Sequence, residues 1–310
     1  MMTEPKYYID FGISKNDKEY LNKQLLYKLY KRPKKEKGVN MPKIYARDPN
    51  AVHQADILFM PRDGDYKYIL SVIDVATRYV AAEPLKSKKG ANIIKAFKKI
   101  YKETDLEPPQ LLRTDSGSEF KGIVKIFFDK LGTKIIYSLP GRHRQTGLVE
   151  ALNKKIGTAL FKRMTAQELL TGEKSIEWVD DLPKIIEAIN KNSIDVTKIK
   201  RSNTPVCKGE SCKLLEIGTK VRRILDTPID VYNRKRIHGN FRATDIRWDP
   251  KIRTITNIII NANQPPMYQL DDGKGGTNRR VAYTREQLQV VSKNEQLPPK
   301  SIIRKKNKKK

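Results

Sequence analysis

Three acidic residues mark where this chain could do chemistry: Asp56, Asp115 and Glu150. Asp56 lies inside the apolar run of AVHQADILFM, Asp115 closes the apolar run of LLRTDSGSEF just before a turn, and Glu150 lies one turn into the helical pattern of GLVEALNKK. The chain carries 63 Lys and Arg against 35 Asp and Glu, a formal net charge of +28. Carboxylates set in apolar surroundings are costly unless a cation sits between them. Three oxygen-only ligands without His or Cys would select Mg²⁺ or Mn²⁺ over zinc. Two such ions, roughly 3.5–4 Å apart, stabilise the attacking and leaving oxygens of an in-line phosphoryl displacement. In this reading Asp56 and Asp115 each ligate metal, one of them bridging, and Glu150 holds the second ion. Water or a DNA 3′-hydroxyl attacks, so no protein nucleophile is needed. The competing reading is three ordinary surface acids.

The elements around these acids must bring them together. Residues 51–193 read as one α/β unit. Apolar runs at 55–60, 68–75 and 78–85 predict three successive strands, with turns at DGDY and around Thr77. GANIIKAFKKIYKE predicts a helix with Ile93, Ile94, Phe97 and Ile100 on one face, and QLLRTD a fourth short strand. SEFKGIVKIFFDKLG reads as a helix with Phe120, Val124, Phe127 and Phe128 inward and Gly132 as its C-cap. KIIYSL is a fifth strand, GRHRQTG a basic loop, LVEALNKKIGTALFKRM a long helix and SIEWVDDLPKIIEAIN another. Three antiparallel strands followed by alternating helix and strand define a mixed α/β sheet. If the strands of Asp56 and Asp115 are neighbours, both carboxylates project into one crevice, and the Glu150 helix closes it from the side.

The rest of the chain reads as accessory. Residues 1–50 form an N-terminal helical segment, with Leu21, Leu25, Leu26 and Leu29 at helical spacing, followed by the basic linker KRPKKEK. Residues 194–215 are a linker. Residues 216–292 hold short segments rich in β-branched and aromatic residues, TKVRRIL, TDIRW, TITNIII, MYQLDD and RVAYT, which predict a small β-barrel. Residues 293–310 are a disordered basic tail by composition.

Charge this positive predicts a polyanionic partner, and with metal-held carboxylates that partner is nucleic acid; a ribosome-associated or virion-packaging basic protein is the alternative that charge alone does not separate. Arg142, His143 and Arg144, in the loop before Glu150, are candidates to grip phosphates; Asn153 and Lys154 share the helical face of Glu150 and are candidates to meet DNA beside the metals. In the barrel the candidates are Arg222, Arg223, Arg234, Lys235 and Arg236. Trp248 reads as core, with an aromatic methyl-lysine cage shared with Tyr268 or Tyr283, and hence a chromatin contact, as the alternative. The two cysteines, Cys207 and Cys212, make no disulfide scaffold, and CKGESC has no further ligands nearby, so a reducing compartment and no structural zinc are expected. No apolar run spans a bilayer and MMTEPKYYIDFG has no signal-peptide pattern, so no membrane partner is expected.

The wording around the acids resembles the retroviral-type integrase core of the RNase H-like DDE superfamily. YKYILSVIDVATRYVAAEPLKSK resembles its second and third strands, RTDSGSEF its second-Asp motif and GLVEALNKKI its Glu-helix motif. The resemblance covers about 51–193. There are 34 residues between Asp115 and Glu150, one fewer than the family commonly has, as a shortened loop would give. Residues 216–292 resemble the SH3-like or chromo-like C-terminal module of such integrases, through GTKVRRI, Tyr268 with QLDD, and Tyr283 followed by REQL. The combination is most similar to integrases of Maverick/Polinton elements, virophages and large DNA viruses. One departure is clear: no Cys precedes Cys207 and His53 is the one early histidine, so the zinc-binding N-terminal domain of retroviral integrases is not expected.

The resemblance implies a polynucleotidyl transferase that trims DNA 3′ ends and joins them to target DNA. It also implies a homo-oligomer, since two ends must be held, working in a nucleus, viral factory or virion. The alternatives are an RNase H-like endonuclease that cleaves without joining, and a non-catalytic DNA- or chromatin-binding protein.

Overall fold

The structure is a computed structural model, and its described residues are 21–44, 46–138, 146–193, 204–279 and 281–298. The chain divides into two compact units, residues 44–200 and residues 1–43 with 201–310.

The first unit is built on a five-stranded sheet. Its strands are β1 (Val52–Asp63), β2 (Tyr66–Asp74), β3 (Val80–Leu85), β4 (Leu111–Thr114) and β5 (Lys134–Tyr137), in the order β3-β2-β1-β4-β5. β1 pairs antiparallel with β2, and β2 with β3; β1 with β4 and β4 with β5 are parallel. Each of the five predicted strands is present. The short antiparallel connections match the turns at Gly64, in the left-handed conformation, and at Asp74–Thr77, where the Asp74 carboxylate accepts the N–H groups of Ala76 and Thr77.

Both faces of this sheet are covered, and the period of β1 divides them. Ala55 and Ile57 point to a core with Ile93, Phe97 and Ile100 of α1 (Gly90–Glu103) and with Val124 and Phe128 of α2 (Ile123–Lys130). Leu58 and Met60 point the other way, to Val149, Leu152, Ile156 and Leu160 of α3 (Gly147–Thr171). α4 (Leu182–Lys191) packs on that second face through Leu182 and the partly buried Ile185, Ile186 and Ile189.

Three helices of this unit differ from their predicted extents, and α3, read as LVEALNKKIGTALFKRM, runs on to Thr171. The segment expected as one helix over 118–132 is split: Ser118–Phe120 is a 3₁₀ turn, and Gly122 at φ +57° breaks the path before α2 begins. Gly132, in the left-handed conformation, ends the segment as expected. The helix expected from Ser175 starts only at Leu182. Upstream of it, the carboxylate of Asp63 accepts the N–H groups of Trp178 and Val179, and the Trp178 indole donates to the carbonyl of Pro61. These bonds hold 178–179 out of a helix, and Pro183 sits in the first turn of α4, where its missing N–H costs nothing.

The second unit carries a four-stranded antiparallel sheet of β6 (Lys220–Arg223), β7 (Arg253–Ile259), β8 (Met267–Leu270) and β9 (Leu288–Val290), in the order β8-β7-β6-β9. TDIRW and RVAYT, read as strands, contribute isolated bridges, Ile224 with Trp248 and Tyr268 with Tyr283. The N-terminal segment, read as accessory, is part of this core. A short helix, Leu25–Tyr30, places Leu25 and Leu29 against Leu225, Ile246 and Trp248. Lys28 of that helix, Arg222 and Glu295 form a buried ion cluster, with Lys28 2.9 Å and Arg222 2.5 Å from the Glu295 carboxylate. The start of the basic tail is therefore ordered as far as described: Glu295 is held in this cluster, and the carbonyl of Gln296 accepts the N–H of Leu25. Cys207 and Cys212 form a disulfide, which the expectation of two reduced thiols did not include. The 3₁₀ turn at Gly209–Cys212 brings their Cα atoms to 5.3 Å, inside the range a disulfide spans. Among the described residues no helix is long and apolar enough to cross a membrane.

Candidate active site

Asp56 is a mid-strand residue on one side and an end-of-sheet residue on the other. Toward β2 it is fully paired, opposite Ser71. Toward β4 the pairing stops at Gln54 opposite Arg113. Carrying that register two residues further places Asp115 level with Asp56, just past the end of β4 at Thr114. Residues level on parallel neighbours project to the same face, and crevices in such sheets open where strands end. Asp56 shares its face of β1 with Leu58 and Met60, which is the face covered by α3, the helix of Glu150.

The electrostatics follow from this placement. Burial is the main cause that pushes the Asp56 carboxyl up to about 6, and the negative charges of Asp115 and Glu150 push the same way. Hydrogen bonds from the Ile57 N–H at 2.8 Å and the Asn153 side-chain amide at 2.8 Å pull against it. Asp115 accepts the N–H of Gly117 at 3.1 Å, and Glu150 accepts the Thr146 hydroxyl at 2.9 Å. Among the described residues no three His, Cys, Asp or Glu side chains are gathered as ligands about one point. The three acids are thus an electrostatic neighbourhood and not a closed cage. Its donor set fits a hard divalent cation: all donors are carboxylate oxygens, and the strain on Asp56 is one that positive charge relieves.

Two further residues support this neighbourhood and lack an obvious sequence signal. Gln54, fully buried, accepts the N–H groups of Leu148 at 3.1 Å and Val149 at 3.2 Å through its side-chain oxygen. Thr146, the N-cap residue of α3, makes no side-chain cap bond, so Gln54 caps the helix from the sheet. Its position two before Asp56 on the same face was the available clue. Gly117 gives the two acids beside it room: a Cβ there would lie 2.5 Å from Oε2 of Glu119 and 3.0 Å from Oδ1 of Asp115, so those side-chain ends would have to shift.

The other expected contacts fare unevenly. Asn153 is 8% exposed and bonded to Asp56, so it supports an acid and does not face DNA; a spacing of three from Glu150 turns it toward the sheet. Lys154 is exposed on α3. Arg142, His143 and Arg144 lie outside the described residues. In the second unit, Arg222 is 2% exposed and bound bidentately by Glu295, which removes it from any DNA surface. Arg223 and Arg234 both pair with the buried Asp249, at 3.2 and 2.8 Å. Lys235 and Arg236 are exposed. Trp248, Tyr268 and Tyr283 are all buried in the unit's core, and the Trp248 indole donates to the Lys31 carbonyl, so they form no open aromatic cage.

Comparison with known proteins bears on the first unit. Residues 46–143 match the integrase core domain family. That match includes Asp56 and Asp115 and closes before Glu150. The five-stranded sheet with flanking helices is the RNase H-like fold of integrases. A chain of the simian T-cell lymphotropic virus intasome, solved in complex with PP2A regulatory subunit B56 gamma, superposes with a TM-score of 0.55 at 12% identity, over 84% of this chain and 85% of that one. An uncharacterized transposon-derived protein of Caenorhabditis elegans is 27% identical over 128 residues, 41% of this chain and 42% of that protein. KRAB-A domain-containing protein 2 of Homo sapiens is 30% identical over 171 residues, 54% of this chain and 33% of that protein. The chain thus spans less than half the length of either curated relative.

Proposed function

We propose that this chain is a DNA integrase of a mobile or viral element, a DDE-type polynucleotidyl transferase that trims DNA 3′ ends and joins them to target DNA. The observation that supports it most is the placement of Asp115 level with Asp56 at the open end of the β1–β4 pair, with Asp56 raised to about 6 by burial first and then by the charges of Asp115 and Glu150. The three carboxylates would hold two Mg²⁺ or Mn²⁺ ions, which when bound supply charge stabilisation to the oxygens exchanging at phosphorus. Asp56 and Asp115 orient toward one crevice because β1 and β4 are in register, Asn153 fixes one Asp56 oxygen, and Gln54 fixes the first turn of the Glu150 helix. In trimming, water oxygen bonds to phosphorus and the 3′ oxygen of the retained strand leaves as its new 3′-hydroxyl, while the departing nucleotides keep the phosphate. In joining, the freed 3′-hydroxyl attacks a target phosphate and the target's 3′ oxygen leaves.

Double-stranded element ends and target DNA are the proposed substrates, bound by a basic chain of net charge +28. A homo-oligomer is proposed because two ends must be held at once; the structural relative is itself described as an intasome. A Maverick- or virophage-like lineage, acting in a nucleus or viral factory, is part of the proposal, and the transposon-derived relative supports a mobile-element origin. A joining assay tests it. Pre-trimmed duplex ends incubated with plasmid and Mg²⁺ or Mn²⁺ are expected to give joined product; cleavage without joining would assign the site to an endonuclease instead.

A further inference from the structure

The second unit presents a closely hydrogen-bonded turn whose tip carries an aromatic ring that nothing among the described residues buries. Tyr232 is 96% exposed, the most exposed large hydrophobic side chain among the described residues. The turn beneath it is closely built. The Asp230 N–H donates to the Lys235 carbonyl and the Arg234 N–H to the Asp230 carbonyl. The Asp230 carboxylate accepts the N–H groups of Tyr232 and Asn233, both at 2.9 Å, and the Asn233 side chain accepts the Lys235 N–H at 2.8 Å. Arg234 holds the left-handed conformation at φ +60° and is fastened to the barrel by Asp249. Exposed Lys235 and Arg236 follow, and Arg236 is steadied by bonds to the carbonyls of His238 and Gly239.

A fully exposed ring on a fixed turn beside two cations has the chemistry of a base-stacking platform with phosphate contacts. A free base face stacks on an aromatic ring, and the backbone phosphates of the same strand meet the cations. The ordering cost is met in advance by the turn. A glutamate-rich peptide would satisfy the cations but brings no aromatic ring to stack on Tyr232. A base inside a duplex has both faces covered, so the ring selects an unpaired nucleotide. We propose that the 230–236 turn binds unpaired nucleotides of DNA, with Tyr232 stacking on a base and Lys235 and Arg236 meeting the flanking phosphates. This rests on the DNA-joining reading, in which trimming one strand leaves the terminal nucleotides of the other unpaired.

The test uses the full chain and fluorescence anisotropy at fixed salt, with one duplex carrying a 5′ overhang and a blunt duplex of equal paired length. The native chain is expected to prefer the overhang. Tyr232→Ala should lose that preference, weakening overhang binding roughly tenfold or more, with blunt binding unchanged; Tyr232→Trp should keep it. Equal binding of both duplexes by the native chain, or a Tyr232→Ala variant that weakens both alike or neither, would overturn the stacking role and leave the integrase reading standing. A native chain that binds neither duplex would refute the integrase reading itself. Loss of binding to a glutamate-rich peptide, with overhang binding intact, would reassign the turn to a protein partner and overturn the proposal.

Discussion

At the scale of single residues, the site is defined by one carboxyl group held under strain. The Asp56 carboxyl is raised to about 6 from an ordinary 3.8, first by burial and then by Asp115 and Glu150. The unfolded chain releases this proton near 3.8 and the folded chain only at about 6, so the folded state holds the extra proton between those values. Stability therefore falls as pH rises through that window, and above it the charge is a full cost. Asp56→Asn removes the charge while keeping an oxygen for the Ile57 N–H. Asn153 has a buried side-chain oxygen with no hydrogen-bond partner among the described residues, so a rotated amide pair is geometrically available. In metal-free buffer, Asp56→Asn is expected to raise stability by about 3 kcal/mol at pH 8 and to leave it nearly unchanged at pH 4. Thermal unfolding at the two pH values measures this; equal effects at both would mean that Asp56 carries no electrostatic strain.

At the scale of elements, two strand ends and one helix start do the positioning, and Gln54 joins them. Its side-chain oxygen replaces the missing N-cap of α3, so the helix that carries Glu150 is docked two residues from Asp56. Gln54→Ala leaves those N–H groups unpaired and is expected to cost about 1–2 kcal/mol in stability. It is also expected to lower DNA cleavage about tenfold, more than the lost folded fraction accounts for, with DNA affinity unchanged. Cleavage that simply tracks the folded fraction would show a cap with no role in the site. This level also shows what the sequence could disclose. Each strand of the larger sheet was legible because β1 to β5 are apolar runs bounded by turn residues, and Asp115 at a strand end was legible for the same reason. The Gln54 cap was not, because a polar residue inside a strand has no periodic signal until its partner helix is placed. The late start of α4 was hidden likewise: its cause is Asp63, more than a hundred residues away in sequence. In the second unit, charge alone could not separate Arg222, buried against Glu295, from exposed Lys235 and Arg236.

At the scale of the whole molecule, the net charge of +28 and the acidic site assign different work to different parts. In the proposed function binding to DNA rests on many dispersed cations, and would therefore be spread over the surface and weakened by salt. In the same proposal chemistry rests on the three carboxylates Asp56, Asp115 and Glu150, and would be lost with any one of them. Asp115 separates the two most cleanly, because it lies past the end of β4 and outside the cores. The central measurement is thus a paired assay of native and Asp115→Asn chains on the same labelled duplex, with Mg²⁺ or Mn²⁺, over a series of salt concentrations. The account predicts that Asp115→Asn binds DNA with the native affinity and salt slope while metal-dependent cleavage falls by at least about a thousandfold. A variant that binds as before and still cleaves at the native rate would contradict the assignment of the three acids.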